Sequence, residues 1–275
     1  MKRLSLMSGG LARLLSLWTV LTLLAGSMVA CTTTTTGADG RETRAPAEPA
    51  DPERRARVRL ELAGLYFSRG QADTALSEVK LAMAAKPDLA DAHAMQALIL
   101  ASLGDNQLAQ ESFLRALQLA PQDGGTMHNY GWFLCQQRRF TDAEVQFNAA
   151  LALPQYRDIT RTLMAQGVCQ ARAGLWSQAE RTLSRSFELD SGNPVTAFNL
   201  SEVLLHRGEL ERARFYVARI NAQPEQVSAQ SLWLAARIER RLGNVQGLQD
   251  LGRKLGERYP QAPETLLFER GRFDD

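Results

Sequence analysis

The sequence predicts an all-α, right-handed superhelical solenoid built from about six helix-turn-helix repeats. Five alanines return at intervals of 34, 34, 36 and 34 residues: Ala75, Ala109, Ala143, Ala179 and Ala213. A glycine stands five residues before four of them: Gly70, Gly104, Gly174 and Gly208. A period of 34 residues is the length of one helix-turn-helix unit, which can bury its apolar face only against neighbouring units.

The first three units follow the tetratricopeptide pattern of small, apolar and turn residues closely. They begin at Ala56, Ala90 and Gly124. The glycine between the two helices of a unit can adopt a positive φ at little cost. A proline then ends the second helix of each unit, at Pro87, Pro121 and, one place early, Pro154.

The last three units depart further from the pattern. The fourth begins at Thr160 and the fifth at Pro194, and both keep the turn glycine and the framework alanine. The sixth, from about Ser228, is degenerate, because Gly247 and Gly252 are expected to weaken its second helix. The predicted repeat domain spans residues 53–261, and residues 262–275 are expected to form a C-terminal tail.

Residues 1–30 are typical of an export signal rather than of the fold. Three basic and no acidic side chains accompany an apolar stretch over 14–25 that is short for a membrane span. The run Met28-Val29-Ala30-Cys31 then resembles the bacterial lipobox, in which the cysteine is acylated. This predicts lipidation of Cys31, whereas ordinary signal cleavage beside an incidental cysteine is the alternative.

The segment after Cys31 is expected to be a flexible tether over residues 31–52. It is rich in threonine and proline and has almost no large apolar residue, so it cannot bury a core. Thr32, rather than aspartate, follows the cysteine, and in lipoproteins of this type that favours the outer membrane. We therefore expect a protein anchored to the periplasmic face of the outer membrane.

Charge and motifs exclude several classes of function. The formal charge is +2, but without residues 1–30 the chain has 29 basic and 30 acidic side chains. No polybasic block remains to indicate nucleic-acid binding. The sequence contains no catalytic motif, no zinc-ligand spacing and no phosphate-binding loop. We expect no enzyme activity, no catalytic residue, no metal, no cofactor and no small-molecule substrate.

Cys135 and Cys169 lie on the first helices of the third and fourth units. First helices of adjacent units pack side by side, and the predicted compartment is oxidising, so a disulfide is one interpretation. Two buried free thiols are the other, because spacing alone does not determine the Cα separation. We adopt the disulfide as the prediction.

A partner-binding groove follows from the register of the repeat. First helices line the concave face of such a stack, and their groove positions hold Leu98, His128, Trp132, Arg161, Met164, Val168, Arg172 and Phe198. This apolar strip with two arginines would suit an extended peptide or an amphipathic helix with acidic groups. For Leu98 and Val168, packing between neighbouring helices is an equally good explanation.

The third unit carries a more specific resemblance. Its run His128-Asn129-Tyr130-Gly131-Trp132-Phe133-Leu134-Cys135, with Tyr156-Arg157 beyond it, resembles the type IV pilus biogenesis lipoproteins PilF and PilW. Cys169 is similar to the second cysteine of that family. The resemblance covers nearly all of the chain after the signal, and departs from the family in the weak sixth unit and the long tether.

The resemblance implies a pilotin-like role beneath the outer membrane. A family member of this kind helps the secretin subunit, its protein partner, to reach the outer membrane and form a multimeric channel, or stabilises the extended pilus. The sequence pattern alone indicates only a tethered peptide-binding solenoid. A lipoprotein adaptor that scaffolds peptidoglycan enzymes of the envelope is the alternative function.

Overall fold

The computed structural model describes residues 51–273, and these form thirteen α-helices with no strand among them. Six helix pairs are followed by one short helix. The helices are α1 (Pro52–Ser68), α2 (Ala72–Ala85), α3 (Ala90–Leu103), α4 (Asn106–Leu119), α5 (Gly124–Gln136), α6 (Phe140–Leu151), α7 (Ile159–Arg172), α8 (Trp176–Leu189), α9 (Pro194–His206), α10 (Leu210–Asn221), α11 (Ala229–Leu242), α12 (Val245–Arg258) and α13 (Pro263–Glu269).

The packing confirms the predicted solenoid. The two helices of each pair contact each other along their length, and each second helix also contacts the first helix of the next pair. First helices of successive pairs touch as well, from α1 with α3 through to α9 with α11. Each repeat therefore contacts chiefly its neighbours, as a quasi-one-dimensional stack requires.

Small residues let the two helices of a pair approach closely. The five framework alanines are completely buried, at 0% exposure each. A Cβ atom added to Gly131 would lie 2.9 Å from the ring of Phe147, and one added to Gly167 would lie 2.6 Å from Cγ of Leu183. Both distances are shorter than van der Waals contact, so the crossings of α5 with α6 and of α7 with α8 require glycine.

The turns inside the repeats share one left-handed backbone position. Glycine occupies it in five repeats, with φ between 72° and 86°, at Gly70, Gly104, Gly174, Gly208 and Gly243. In the third repeat the equivalent residue is Arg138, with φ 60°. A side chain with a Cβ is strained in this conformation, so the third turn is held by its surroundings.

The C-terminal end is closed by residues outside the repeat pattern. Helix α13 packs on α11 and α12, and the ring of Phe268 fills the space left by Gly252. The ring of Phe273 stacks on Trp233 with centroids 4.9 Å apart. The sixth repeat is thus complete, with α12 running for 14 residues, and Gly252 provides room for the capping helix.

The N-terminal predictions lie outside the described residues. The signal over 1–30, the lipidation of Cys31 and the tether up to residue 50 therefore remain predictions. The first described helix begins at Pro52, where Asp51 accepts a hydrogen bond from the backbone N–H of Glu53 at 3.1 Å. Within residues 51–273 no helix combines the length and hydropathy needed to cross a bilayer.

Replacing Arg138 by glycine should stabilise the third turn. Glycine adopts a positive φ without the Cβ clash, so Arg138→Gly should raise the free energy of unfolding by about 1 kcal/mol. Gly104→Ala, at the equivalent turn of the second repeat, should lower it by a similar amount. Urea denaturation of both variants measures the effect, and an Arg138→Gly protein less stable than wild type would contradict it.

Candidate partner-binding groove

The predicted groove residues lie on four successive first helices, α3, α5, α7 and α9. Five apolar members are half-buried: Leu98, Trp132, Met164, Val168 and Phe198. Leu98 and Trp132 pack on one core cluster, and Met164 and Phe198 pack on the next. Each of these four side chains therefore contributes to packing between helices while part of its surface stays accessible. Arg161 and Arg172 are exposed.

Trp132 and Arg172 form the centre of this surface. The guanidinium carbon of Arg172 lies 5.0 Å from the centroid of the Trp132 ring, which places a cation over an aromatic face. Within the part of the chain that the structure describes, Arg172 forms no ion pair with a carboxylate. Helices α5 and α7 thus present an aromatic ring and an available positive charge side by side.

His128 does not line the groove, contrary to the prediction. Its side chain is only 4% exposed, and its Nδ1 lies 2.9 Å from the hydroxyl of Thr162 on α7. The same hydroxyl shares a 2.6 Å hydrogen bond with the phenol of Tyr156. The prediction was wrong because the side chain of His128 turns toward α7 of the next repeat, where Tyr156 bonds to the same hydroxyl.

The surroundings of His128 keep its ring neutral. Burial, together with the smaller effect of the positive charge of Arg161, lowers the pKa of His128 to about 4, although Asp158 acts in the opposite direction. A neutral ring has one nitrogen that donates and one that accepts, which matches a hydroxyl partner. His128 is therefore a buried structural hydrogen-bonding group.

A buried polar seam between α6 and α7 was not predicted. Gln166 donates from Nε2 to Glu144 at 2.7 Å and to Asn148 at 2.8 Å. Gln170, one turn further along, donates to both carboxylate oxygens of Glu144 at 3.2 Å. Both glutamines are more than 90% buried. Glutamines four residues apart on a face flanked by apolar residues were the available signal, because they share one side of a helix.

Cys135 and Cys169 are joined by a disulfide in the structure. Their Cα atoms lie 5.8 Å apart, within the usual range for such a bridge. Both residues are almost fully buried and belong to the same core cluster as Phe133 and Phe147. The bond links α5 to α7, directly behind the surface formed by Trp132 and Arg172.

The first helix of the sixth repeat, α11, carries two arginines that contact the preceding first helix, α9, and that were not predicted from the sequence. Arg237 forms an ion pair with Glu202 at 3.3 Å, and Arg241 donates to the backbone carbonyl of Leu205 at 3.1 Å. The signal was available, since these arginines follow Glu202 and His206 by one repeat of 35 residues. Among residues 51–273 no cluster of three or more histidine, cysteine or acidic side chains could hold a metal ion.

Comparison with known proteins agrees with this architecture. Residues 90–123 match the tetratricopeptide repeat family. Over 219 residues the chain is 26% identical to the type IV pilus assembly protein PilF of Pseudomonas aeruginosa, which covers 80% of this chain and 86% of that protein. An uncharacterised protein of Haemophilus influenzae is 26% identical over 144 residues, covering 52% of this chain and 80% of that protein.

Two solved structures extend the comparison. The crystal structure of PilW, a widely conserved type IV pilus biogenesis factor, has a TM-score of 0.72 and 28% identity, covering 77% of this chain and 96% of that one. The solved structure of Pseudomonas aeruginosa PilF has a TM-score of 0.70 and 24% identity, covering 80% of this chain and 99% of that one, and supports the fold. The chain is a homologue of the tetratricopeptide proteins PilF and PilW of type IV pilus biogenesis.

Reducing the disulfide should destabilise the third and fourth repeats. A disulfide that closes a loop such as the one between Cys135 and Cys169 stabilises a protein by about 2–4 kcal/mol. The oxidised protein should therefore unfold at a higher urea concentration than protein treated with dithiothreitol. The Cys135→Ser/Cys169→Ser variant should be insensitive to the reductant, and equal midpoints for oxidised and reduced wild type would contradict the expectation. Mass spectrometry of alkylated, non-reduced protein checks that the two thiols are protected.

His128 should make the stability depend on pH. The pKa of His128 is about 4 in the folded state and has an ordinary value of 6.5. As the pH falls, the unfolded chain is therefore protonated at this residue before the folded chain is. The free energy of unfolding should therefore fall from about pH 6.5 to pH 4, by at most about 1.4 kcal/mol per pH unit.

The His128→Asn variant is the control for this pH dependence, because an asparagine side chain does not titrate. The stability difference between wild type and this variant should be largest at pH 7.5 and shrink toward pH 4.5. Titration of the His128 ring by NMR gives a direct check, and a midpoint near 6.5 would show that the ring is not buried as described.

Proposed function

We propose that this protein is a lipid-anchored periplasmic scaffold for type IV pilus assembly that promotes outer-membrane localisation and multimerisation of the secretin. The supporting observation is the surface formed by Trp132 and Arg172, which presents an aromatic ring and an available guanidinium on a homologue of PilF. Tryptophan and arginine are the residues most enriched at energetically dominant interface positions.

The chemistry of the groove defines what it would bind. Trp132, Met164 and Phe198 lie on three successive first helices and give apolar contacts along the direction of the stack. Arg161 and Arg172 stand beside them for carboxylates, and guanidinium groups bind carboxylates with two parallel hydrogen bonds. A secretin segment in an extended or helical conformation, with apolar residues and at least one acidic residue, fits this surface.

The anchor would set where the groove operates. Acylation of Cys31 attaches the chain to the outer membrane through several acyl chains, which holds a protein stably. About 20 residues separate Cys31 from α1, and such a segment reaches at most about 70 Å when fully extended. The scaffold could therefore meet secretin subunits in the periplasm while remaining attached. No enzymatic step is required of it.

Trp132→Ala should strongly weaken binding of the secretin periplasmic region. Loss of a tryptophan anchor costs about 2–4 kcal/mol, a loss of about 30- to 1000-fold in affinity. Trp132→Phe, which retains an aromatic ring over the same core cluster, should keep most of the affinity. Isothermal titration calorimetry with the purified secretin region measures both, and circular dichroism checks the fold. A folded Trp132→Ala protein that still binds and supports multimers would refute the groove assignment.

Cys31→Ala separates anchoring from binding in the same assay. This variant should bind the secretin region as tightly as wild type but leave the outer-membrane fraction, and secretin multimers should decrease in cells. Unchanged fractionation, together with an unmodified N-terminal peptide in the wild type, would refute the anchor. Binding of peptidoglycan enzymes in place of the secretin would favour the adaptor function.

A further inference from the structure

An aromatic cluster around Arg219 lies on the second helices α8 and α10, away from the groove. The guanidinium carbon of Arg219 is 5.6 Å from the ring centroid of Phe187 and 5.7 Å from that of Phe215. Tyr216 packs edge-on against both rings, with centroids 5.0 Å and 5.2 Å away. We refer to Phe187, Phe215, Tyr216 and Arg219 as the Arg219 patch.

Arg219 differs in its partners from the other arginines of α10. Arg212 pairs with Glu180 and Glu209, and Arg214 pairs with Glu211 and Glu239. Within residues 51–273 Arg219 has no ion pair and no side-chain hydrogen bond, and its contacts are the two rings. Arg219 is exposed, and contacts with aromatic rings do not use its N–H donors, so these donors remain available for an anion.

The patch also exposes a large apolar side chain, that of Phe215. Phe215 is 55% exposed, although a phenylalanine normally gains free energy from burial. Next to Arg219 is a cavity of about 360 Å³, between the loop before α9 and the end of α10. Its walls are largely polar and include Asn193, Gln223 and one carboxylate, Glu225.

We propose that the Arg219 patch binds a protein segment that carries a carboxylate side chain next to an apolar side chain. The carboxylate accepts two hydrogen bonds from the N–H edge of Arg219, and the rings hold that guanidinium in one orientation. The apolar side chain covers the exposed face of Phe215. Amide and hydroxyl groups of the cavity wall bind the adjacent backbone.

The charge pattern favours a protein partner over a polyanion. One unpaired guanidinium beside two rings matches one carboxylate, whereas nucleic acids and anionic membrane surfaces are bound by several basic side chains together. The adjacent arginines of α10 are already paired with glutamates, and Glu225 would repel additional negative charge. The ligand is therefore a segment with an isolated acidic residue beside an apolar one.

The position of the patch makes it independent of the proposed groove. Trp132 and Arg172 lie on first helices, whereas the Arg219 patch lies on second helices, which form the other layer of the solenoid. Two different protein segments can be held at the same time by one rigid stack. This inference goes beyond secretin binding and would hold for any scaffold role of the protein.

Peptide selection on the full-length protein in detergent micelles tests the proposal. A phage library of random 12-residue peptides is selected against wild type and, in parallel, against Arg219→Gln. Wild type should enrich sequences with aspartate or glutamate within two positions of phenylalanine, tryptophan or leucine. The selected peptide, synthesised with a fluorescent label, should bind at least tenfold more weakly to Arg219→Gln and to Phe215→Ser by fluorescence anisotropy.

Matched controls locate the site. Arg181→Gln changes an exposed arginine of α8 outside the patch and should leave peptide affinity unchanged, and so should Trp132→Ala. Replacing the acidic residue of the peptide by its amide should cause the same loss as Arg219→Gln. The proposal is overturned if no acidic–apolar motif is enriched, if Arg219→Gln binds like wild type, or if Trp132→Ala removes binding. Dimerisation that Phe215→Ser abolishes would instead assign the patch to a second copy.

Discussion

The close approach of two helices within each repeat is the constraint on which the whole structure depends. It requires a residue without a large side chain at every crossing, and the buried framework alanines and Gly131 meet that requirement. When the backbones come together, the larger side chains are directed outward to the neighbouring repeats. The stack then acquires a continuous core, and the first and second helices separate into two layers that can bear different surfaces.

The junction between the third and fourth repeats is where this regularity is broken. Successive framework alanines are 36 residues apart there, two more than elsewhere. The longer connection carries Tyr156, whose ring occupies the space above Gly124 and whose hydroxyl meets Thr162. Polar side chains and a disulfide replace part of the apolar packing at this junction. These interactions are directional, so they hold the two repeats in one relative orientation beneath Trp132 and Arg172.

The extent to which sequence predicted the structure depends on whether a feature follows the repeat. The helix pairs and the turn glycines could be predicted, because they recur with the period of the fold. The position of His128 could not be, since it depends on the rotation of α5 and on a loop of irregular length. Phe273 and the Gln166–Glu144 pair lie outside any repeat pattern, and the Arg219 patch arises only when α8 and α10 are brought together.

The C-terminal residues that close the stack, α13 and Phe273, affect how the protein unfolds. In a linear array each internal repeat is supported on two sides, but a terminal repeat is supported on one. Phe273, stacked on Trp233 beneath the guanidinium of Arg240, gives the sixth repeat a second supported side without a seventh repeat. Fraying from this end must first separate the ring of Phe273 from Trp233 and Arg240. The contacts of Phe273 thus make the C-terminal end of the described array harder to fray than an uncapped repeat would be.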